Sequence, residues 1–281
     1  MQTVTTVAAL RQQITAWQEC GEKIIFVPTM GNLHAGHLAL VEHAKTFSGK
    51  IVCSIFVNAL QFDREEDLQN YPRTLQQDIA ALEHDLVDML FIPEHEEVYS
   101  AENQITVPKI PLNQQLCGIF RPGFFDGIVE VVTRLFAVVT PDTAVFGEKD
   151  YQQLVIIKQL VAELGLPIQI EQVSTQRAKD GLALSSRNAY LNDAERILAP
   201  QLYAVLSSLK KQIEEGSRDY IALQEQAMLQ LTKVGFRPDY VAIRAAEDLG
   251  EACYDTDFIV ILAAAWLGKA RLIDNILLQI T

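Results

Sequence analysis

The chain has 281 residues, 49% of them hydrophobic and 21% charged, a composition that supports a large buried core and excludes a disordered or low-complexity protein. Its 36 acidic and 23 basic residues give a net charge of −13, which disfavours binding to nucleic acid or to an anionic membrane. A small anionic substrate is still allowed, because a site needs only a few local cations.

The first two thirds of the chain alternate between strand-like and helix-like segments. Mainly apolar runs predict strands at 23–27, 51–57, 87–92 and 143–146, and 167–173 is a further strand candidate. Apolar residues at helical spacing predict helices at 37–47, 74–86, 127–139 and 151–164. Apolar strands separated by helices predict a Rossmann-like, doubly wound parallel sheet that binds ligands beyond the carboxyl ends of its strands.

The pattern changes after about residue 176. Helical spacing predicts two further helices, at 193–215 and 219–234. Apolar runs then predict three strands, at 239–244, 258–264 and 270–280. We therefore expect two domains: a Rossmann-like α/β domain at 1–176 and a smaller α+β domain at 177–281.

Membrane insertion, targeting and disulfide bonding are not expected. The longest apolar run, 258–267, is about half of the roughly 20 residues that a membrane helix needs, and the first 13 residues lack the features of a signal peptide. The four cysteines lie far apart, without a zinc-binding spacing. We expect all four to be core residues of a cytoplasmic protein.

The strongest local signal is the segment 28–37, PTMGNLHAGH, which joins a predicted strand to a predicted helix. Such a junction offers backbone N–H groups and the positive end of a helix dipole to a phosphate. His34 and His37 share one face of the first helical turn, so their imidazoles could bind a triphosphate and stabilise its leaving group. The alternative interpretation is a pair of surface or capping histidines.

Three more segments carry polar groups suited to small anions. Asn58 and Gln61 follow a buried strand, and amides that donate and accept suit a hydroxy acid, although Asn58 could instead serve a turn. The segment 147–150 (GEKD) lies between strand and helix, where its lysine could neutralise a phosphate or its charged groups could form a solvated cap. The segment 185–187 (SSR) offers two hydroxyls and a guanidinium, as a phosphate clamp or a capping loop.

The motif HxGH after the first strand resembles the nucleotidyltransferase superfamily, which transfers adenylyl groups from ATP. The rest of the chain resembles one of its members, the pantothenate synthetase (pantoate–β-alanine ligase) family. The segments that carry this resemblance, in chain order, are 54–58 (SIFVN), 61–62 (QF), 66–68 (EDL), 71–74 (YPRT), 116–118 (LCG), 121–123 (RPG), 146–154 (FGEKDYQQL), 177 with 180–188 (DGLALSSRN), 267–268 (LG) and 271–275 (RLIDN).

The resemblance implies a ligase that uses ATP to join pantoate to β-alanine through a pantoyl adenylate. It implies catalytic roles for His34, His37, Lys149 and Arg187, with His37 as the proton donor. The residues it assigns to ATP are Met30, Gly31, Asn32, Leu33, His34, Ala35, Gly36, His37, Gly147, Glu148, Lys149, Asp150, Gln176, Leu184, Ser185, Ser186 and Arg187. Gln61 is assigned to pantoate and β-alanine and Gln153 to pantoate, and we add Asn58 as a predicted pantoate ligand.

Cofactor and partners follow from the same resemblance. We expect ATP as a substrate with Mg²⁺ on its phosphates and few or no protein ligands to the metal. The acidic run Glu65, Glu66 and Asp67 is interpreted as a solvated face and not as a metal site. A homodimer is expected, with the domain at 177–281 acting as a lid that excludes water from the adenylate.

Four positions depart from the family pattern: Ala59, Phe124, Glu130 and Gln176. Glu130 lies within an otherwise apolar helix, so it should be exposed or paired with Arg134 at i+4. Two alternative functions stay open. A different HxGH adenylyltransferase would leave the segments of Gln61 and Gln153 unexplained, and a non-catalytic nucleotide-binding module would not need the histidine pair.

Overall fold

The computed structural model describes residues 1–62, 68–69, 71–100 and 105–280, so the predicted solvated run Glu65, Glu66 and Asp67 lies outside the described residues. The chain forms two compact units. The first comprises Met1–Gly147 and Ile156–Ser174, and the second comprises Glu148–Val155 and Thr175–Thr281. One helix therefore contributes residues to both units.

The first unit contains a six-stranded sheet with helices between its strands. Its strands are β1 (Gln2–Val4), β2 (Ile24–Thr29), β3 (Lys50–Ile55), β4 (Met89–Phe91), β5 (Thr143–Gly147) and β6 (Gln169–Val173). The helices of this part of the chain are α1 (Val7–Glu19), α2 (Ala35–Ala44), α3 (Leu75–His84), α4 (His95–Val98), α5 (Cys117–Phe120), α6 (Phe124–Val139) and α7 (Tyr151–Glu163), the last of which also enters the second unit.

The six strands are in the order β1-β4-β3-β2-β5-β6, and all of them are parallel, which confirms the predicted parallel sheet. Successive β2 side chains serve the two faces: Ile25 and Val27 join the core beneath α2, while Phe26 packs edge-on against Phe136 of α6. The chain runs from β2 to β3 and β4 on one side and later adds β5 on the other side of β2. The carboxyl ends of β2 and β5 therefore flank the topological switch point, where such sheets bind ligands.

The second unit is built on a three-stranded antiparallel sheet in the order β7-β8-β9. Its elements are α8 (Asp193–Leu198), α9 (Gln201–Glu214), α10 (Tyr220–Lys233), β7 (Arg237–Ala245), β8 (Phe258–Leu267) and β9 (Ala270–Gln279). The longest apolar run of the sequence is its central strand β8, which is buried almost throughout and pairs with both neighbours. Its core packs α9 and α10 against this sheet, so the fold is the predicted doubly wound parallel domain with a smaller α+β part.

Three details differ from the predictions. The elements β1, α1, α4 and α5 were not predicted, although Val7, Leu10 and Ile14 of α1 are buried at helical spacing. The single helix predicted at 193–215 is two helices, because Pro200 has no backbone N–H and interrupts the hydrogen-bond ladder between α8 and α9. Most other boundaries differ by one to three residues, the usual uncertainty of helix and strand ends.

The prediction that all four cysteines are core residues is wrong for two of them. Cys53 and Cys117 are buried, but Cys20 ends α1 at the surface and Cys253 lies in the exposed β7–β8 connection. All four are free thiols in the structure. Within the described residues, no helix has both the length and the hydropathy to cross a bilayer.

Candidate active site

The segment that follows β2 turns sharply before α2 begins. Gly31 and Asn32 both have left-handed backbone conformations, with φ of 77° and 51°. A Cβ on Gly31 would lie 3.0 Å from Ile55 Cγ2 and 3.1 Å from Asp78 Oδ2, so this position requires glycine for space as well as for conformation. The turn brings the backbone from the strand directly into the first turn of a helix at the switch point.

A buried carboxylate holds this turn. Asp78 of α3 is 3% exposed, and its two oxygens accept the backbone N–H groups of Asn32 (2.9 Å) and Leu33 (2.8 Å). Thr74 Oγ1 lies 3.2 Å from both oxygens. Asp78 therefore fixes two successive peptide groups in the strained part of the loop. The sequence offered one signal for it: Asp78 lies on the apolar face of the predicted helix 74–86, where a carboxylate needs partners.

His34 and His37 lie together at the N-terminus of α2, as predicted. His34 is the N-cap, its Nδ1 accepts the backbone N–H of Gly36 (3.1 Å), and His37 Nδ1 accepts that of His34 (3.3 Å). The two ring centroids are 4.1 Å apart. An Nδ1 that accepts a backbone N–H carries no proton, so each neutral ring has its N–H at Nε2. The capping role and a ligand role are therefore compatible, because they use different nitrogens.

Gln61, predicted to bind substrate, contacts the predicted nucleotide segment. Its Nε2 lies 2.7 Å from Met30 Sδ, and its backbone carbonyl accepts a hydrogen bond from Arg121 (3.3 Å). The guanidinium of Arg121 stacks 3.5 Å above the ring of Phe124, one of the departures from the family pattern. The aromatic residue at this position thus helps to orient an arginine that supports the turn of Gln61.

Asn58 is buried, and its side chain is engaged with the protein. Its Nδ2 donates to Gly127 O of α6 (3.0 Å) and to Gln61 Oε1 (3.3 Å), and its Oδ1 accepts from Tyr99 Oη (2.9 Å). These bonds fix the 3₁₀ turn at Ala59–Gln61. Turn chemistry, the alternative considered for Asn58, is present, and it sets the position of Gln61.

Tyr99 holds the side chain of Asn58 through a hydrogen bond, and Arg134 packs on the ring of Tyr99. The Arg134 guanidinium lies 4.6 Å from the centre of the Tyr99 ring and bonds Glu130 Oε1 at 3.0 Å, which confirms the predicted i+4 pair. Burial raises the pKa of the Tyr99 hydroxyl, and the charge of Glu130 raises it further. Tyr99 therefore stays protonated and donates to Asn58 across the working pH range. No sequence pattern indicated Tyr99, because its partners come from distant segments.

Gly147 ends β5 in the first unit, and the predicted residues that follow it lie in the second unit. Lys149 lies in a 3₁₀ turn at Glu148–Asp150, and Gln153 follows in the first turn of α7. Tyr151, just after the turn, donates to Ala246 O (3.0 Å), and burial together with the charge of Glu148 raises its pKa to about 12. The predicted strand-to-helix junction is therefore present: β5 ends at Gly147, the 3₁₀ turn follows, and α7 begins at Tyr151.

The segment from Gln176 to Arg187 forms a short hairpin and then a 3₁₀ turn. Gln176 O accepts the N–H of Leu184 (2.9 Å), and the turn at Ser186–Tyr190 is capped by Ser185, whose Oγ accepts the N–H of Arg187 (3.3 Å). Ser185 therefore caps this turn, and its hydrogen bond fixes the backbone of Arg187. In the parts of the chain that the structure describes, no group of three His, Cys, Asp or Glu side chains could hold a metal ion.

Known proteins resemble this chain over its full length. A family model described as pantoate–β-alanine ligase matches residues 2–277. A pantothenate synthetase of Aeromonas hydrophila subsp. hydrophila is 52% identical over 279 residues, 98% of this chain and 97% of that protein. The crystal structure of pantothenate synthetase from Thermus thermophilus superposes with a TM-score of 0.90 at 42% identity, covering 98% of this chain and 99% of that one.

A second solved structure includes ligands. It is pantoate–β-alanine ligase from Francisella tularensis, complexed with β-γ ATP and β-alanine. It superposes with a TM-score of 0.81 at 34% identity and covers 99% of this chain and 97% of that chain.

Proposed function

This chain belongs to the pantoate–β-alanine ligase family, and from that premise we propose that it joins its substrates in two steps through a pantoyl adenylate. In the first step a carboxylate oxygen of pantoate attacks the α-phosphorus of ATP, the bond to the bridging oxygen breaks and pyrophosphate leaves. In the second step the amine of β-alanine attacks the acyl carbon, the bond to the phosphate oxygen breaks, AMP leaves and the amine loses a proton.

The observation that carries this proposal is the histidine pair at the N-terminus of α2. Nε2–H groups of His34 and His37, helped by the helix dipole, can stabilise the charge that grows on the departing pyrophosphate. His37 is proposed to donate a hydrogen bond from Nε2–H to the oxygen that leaves. Chemistry of this kind depends on positioning and charge neutralisation, which a rigid loop held by Asp78 supplies.

The other proposed ATP ligands follow the assignment made from the sequence. Lys149 and Arg187 would neutralise phosphate oxygens, and the hydroxyls of Ser185 and Ser186 would donate to them. The backbone of the hairpin that Gln176 and Leu184 close with a hydrogen bond would face the nucleoside. Mg²⁺ enters the proposal as part of the substrate MgATP, since it prefers phosphate oxygens and water to a dedicated protein site.

The proposed pantoate site consists of Asn58, Gln61 and Gln153. Gln61 and Gln153 would bind pantoate directly through amides that both donate and accept, and Gln61 would also contact β-alanine. Asn58 would act mainly by orienting Gln61, because its amide already bonds Gly127, Gln61 and Tyr99. The contact between Gln61 and Met30 supports a substrate position next to the nucleotide loop.

The proposal includes a homodimer in the cytoplasm. Four free thiols suit a reducing compartment, and sedimentation velocity tests the dimer directly. A single species with the mass of one chain would refute it.

The function is tested by pyrophosphate release from MgATP, first with pantoate and then with β-alanine added. We expect release that requires pantoate, and AMP and pantothenate only after β-alanine is added. Pantoate labelled with ¹⁸O in its carboxylate should transfer one labelled oxygen to AMP. AMP without the label, or pyrophosphate release that does not depend on pantoate, would contradict the pantoyl adenylate and favour a different HxGH adenylyltransferase.

A further inference from the structure

The sequence motif at 271–275, RLIDN, has no role in the proposed chemistry, yet its last residue contacts the turn that carries Lys149. Asn275 lies in β9 and is 6% exposed. Its Nδ2 donates to Glu148 O (2.8 Å) and to Lys149 O (3.0 Å). Both hydrogens of one amide group are therefore used on two successive carbonyls of the same 3₁₀ turn.

The backbone of Asn275 is itself held in place. β9 is an edge strand, and at this position its N–H and C=O bond side chains: the N–H donates to Asp274 Oδ1 (2.8 Å) and the C=O accepts from Arg177 (3.2 Å). Arg177 also pairs with Asp274 through two hydrogen bonds of 2.7 and 2.8 Å, and its guanidinium stacks 3.7 Å from the ring of Tyr203. A two-point ion pair between the partly buried Arg177 and the buried Asp274 fixes the strand next to Asn275.

We propose that Asn275 is a positioning residue for Lys149 in the ATP-dependent step. The inference rests on the proposed phosphate role of Lys149. A 3₁₀ turn is short and makes few internal hydrogen bonds, so external donors decide its geometry. Lys149 reaches substrate on a flexible four-carbon stem, and its useful position depends on a fixed backbone. Asn275 provides that fixed backbone from a strand whose own groups are locked by Arg177 and Asp274.

The test is a double-mutant cycle of Asn275→Ala and Lys149→Ala, read as kcat/KM for ATP in pantoate-dependent pyrophosphate release. We expect Asn275→Ala to lower this value about 10- to 100-fold, because small misplacements of catalytic groups have effects of that order. In the Lys149→Ala background the same change should cost less than about twofold, since both substitutions remove one function. If Asn275 had a purely structural role, Asn275→Ala would lower kcat/KM by the same factor in the parent and in the Lys149→Ala variant.

The matched control is Asp239→Asn, which breaks a partly buried ion pair with Arg271 (2.7 Å) in the same three-stranded sheet. It should lower stability but keep kcat/KM for ATP within about twofold. Should Asn275→Ala be recovered unfolded, Asn275→Ser replaces it in the cycle, because a hydroxyl can donate to only one of the two carbonyls.

The outcomes separate the two proposals. Lys149→Ala within threefold of the parent would refute the phosphate role of Lys149 and, with it, the role of Asn275. An impaired Lys149→Ala beside a fully active Asn275→Ala, or losses that multiply in the double variant, would overturn the positioning role alone. Circular dichroism and urea unfolding of each variant show whether the native fold is retained.

Discussion

At the scale of single residues, each histidine of the pair caps α2 with one ring nitrogen and is proposed to contact ATP with the other. His37 Nδ1 accepts a backbone hydrogen bond in the capping box, so its proton is held at Nε2. We expect His37→Ala to lower the rate of pantoate-dependent pyrophosphate release about 10²- to 10³-fold, the usual cost of losing one charge-stabilising donor. A loss below about threefold would remove His37 from the mechanism.

His43→Gln is the matched control for that variant. His43 lies on the same helix, but it pairs with Glu171 (3.3 Å) and has no part in the cap. Its replacement should leave pyrophosphate release within about twofold. Equal losses for His37→Ala and His43→Gln would instead indicate damage to α2.

Asp78 acts on the nucleotide loop through hydrogen bonds alone. In Asp78→Asn one oxygen becomes an NH₂ group that faces a backbone N–H of Asn32 or Leu33, so one bond is lost and a donor meets a donor. We expect kcat/KM for ATP to fall about 10- to 100-fold and the free energy of unfolding to fall by about 1–3 kcal/mol. Steady-state kinetics and urea unfolding measure the two effects.

Asp85→Asn controls for the loss of a buried carboxylate on the same helix. Asp85 ends α3 and bonds His84 (3.1 Å), away from the loop. ATP kinetics should stay within about twofold in this variant. Unchanged ATP kinetics in a destabilised Asp78→Asn would show that Asp78 serves the fold only.

Residue-level prediction succeeded where the pattern is local and stopped where partners come from elsewhere in the chain. His34, His37 and the Glu130–Arg134 pair are neighbours in sequence, so spacing alone was sufficient to group them. Tyr99 reaches Asn58 across 41 positions, and Asn275 reaches Glu148 across 127. Such pairs depend on strand order, which periodicity does not specify.

At the scale of elements, the close approach of α6 to the Asn58–Gln61 turn depends on a glycine. A Cβ on Gly127 would lie 2.7 Å from Leu60 O, so Gly127→Ala must push the turn away from the helix. We expect KM for pantoate to rise about tenfold, KM for ATP to stay within about twofold, and stability to fall by about 1–3 kcal/mol. Kinetics with each substrate varied in turn measures the split.

Gly165→Ala provides a control of similar stability loss. Gly165 follows α7 with φ of 59°, and a Cβ added to it would meet no atom within 4 Å, so alanine there strains the backbone without touching the turn. Both KM values should stay near those of the parent. A parallel rise of both KM values in Gly127→Ala would contradict a specific effect on the pantoate site.

Element types were predictable where apolar residues are continuous, as in β2, β4 and β5, or repeat along one face, as in the helix α6. The break between α8 and α9 is also visible in the sequence, as Pro200. The apolar repeat continues across 193–215, but proline has no backbone N–H, so a single helix cannot continue through it. The burial of the cysteines was predicted from residue type alone. Residue type does not show that Cys20 lies at the exposed end of a helix, so the prediction failed there.

At the scale of the whole molecule, the two units have separate cores. One cluster of buried residues is drawn from positions 182–278, while the core beneath α2 is drawn from positions 25–145. The second unit combines Glu148–Val155 with Thr175–Thr281, so it is built from two separate stretches of the chain. We propose that the two units unfold as separable cooperative blocks.

The two tryptophans allow a direct test, because Trp17 lies in α1 of the first unit and Trp266 in β8 of the second. Leu206 is fully buried in the second core, so Leu206→Ala should remove about 2–5 kcal/mol from that unit. With Trp17→Phe as background, fluorescence of Trp266 should show a urea midpoint lowered by about 1 M or more. With Trp266→Phe as background, the midpoint reported by Trp17 should hardly move. Equal shifts at both tryptophans would mean that the chain unfolds as one block, and the proposal of separable units would then fail.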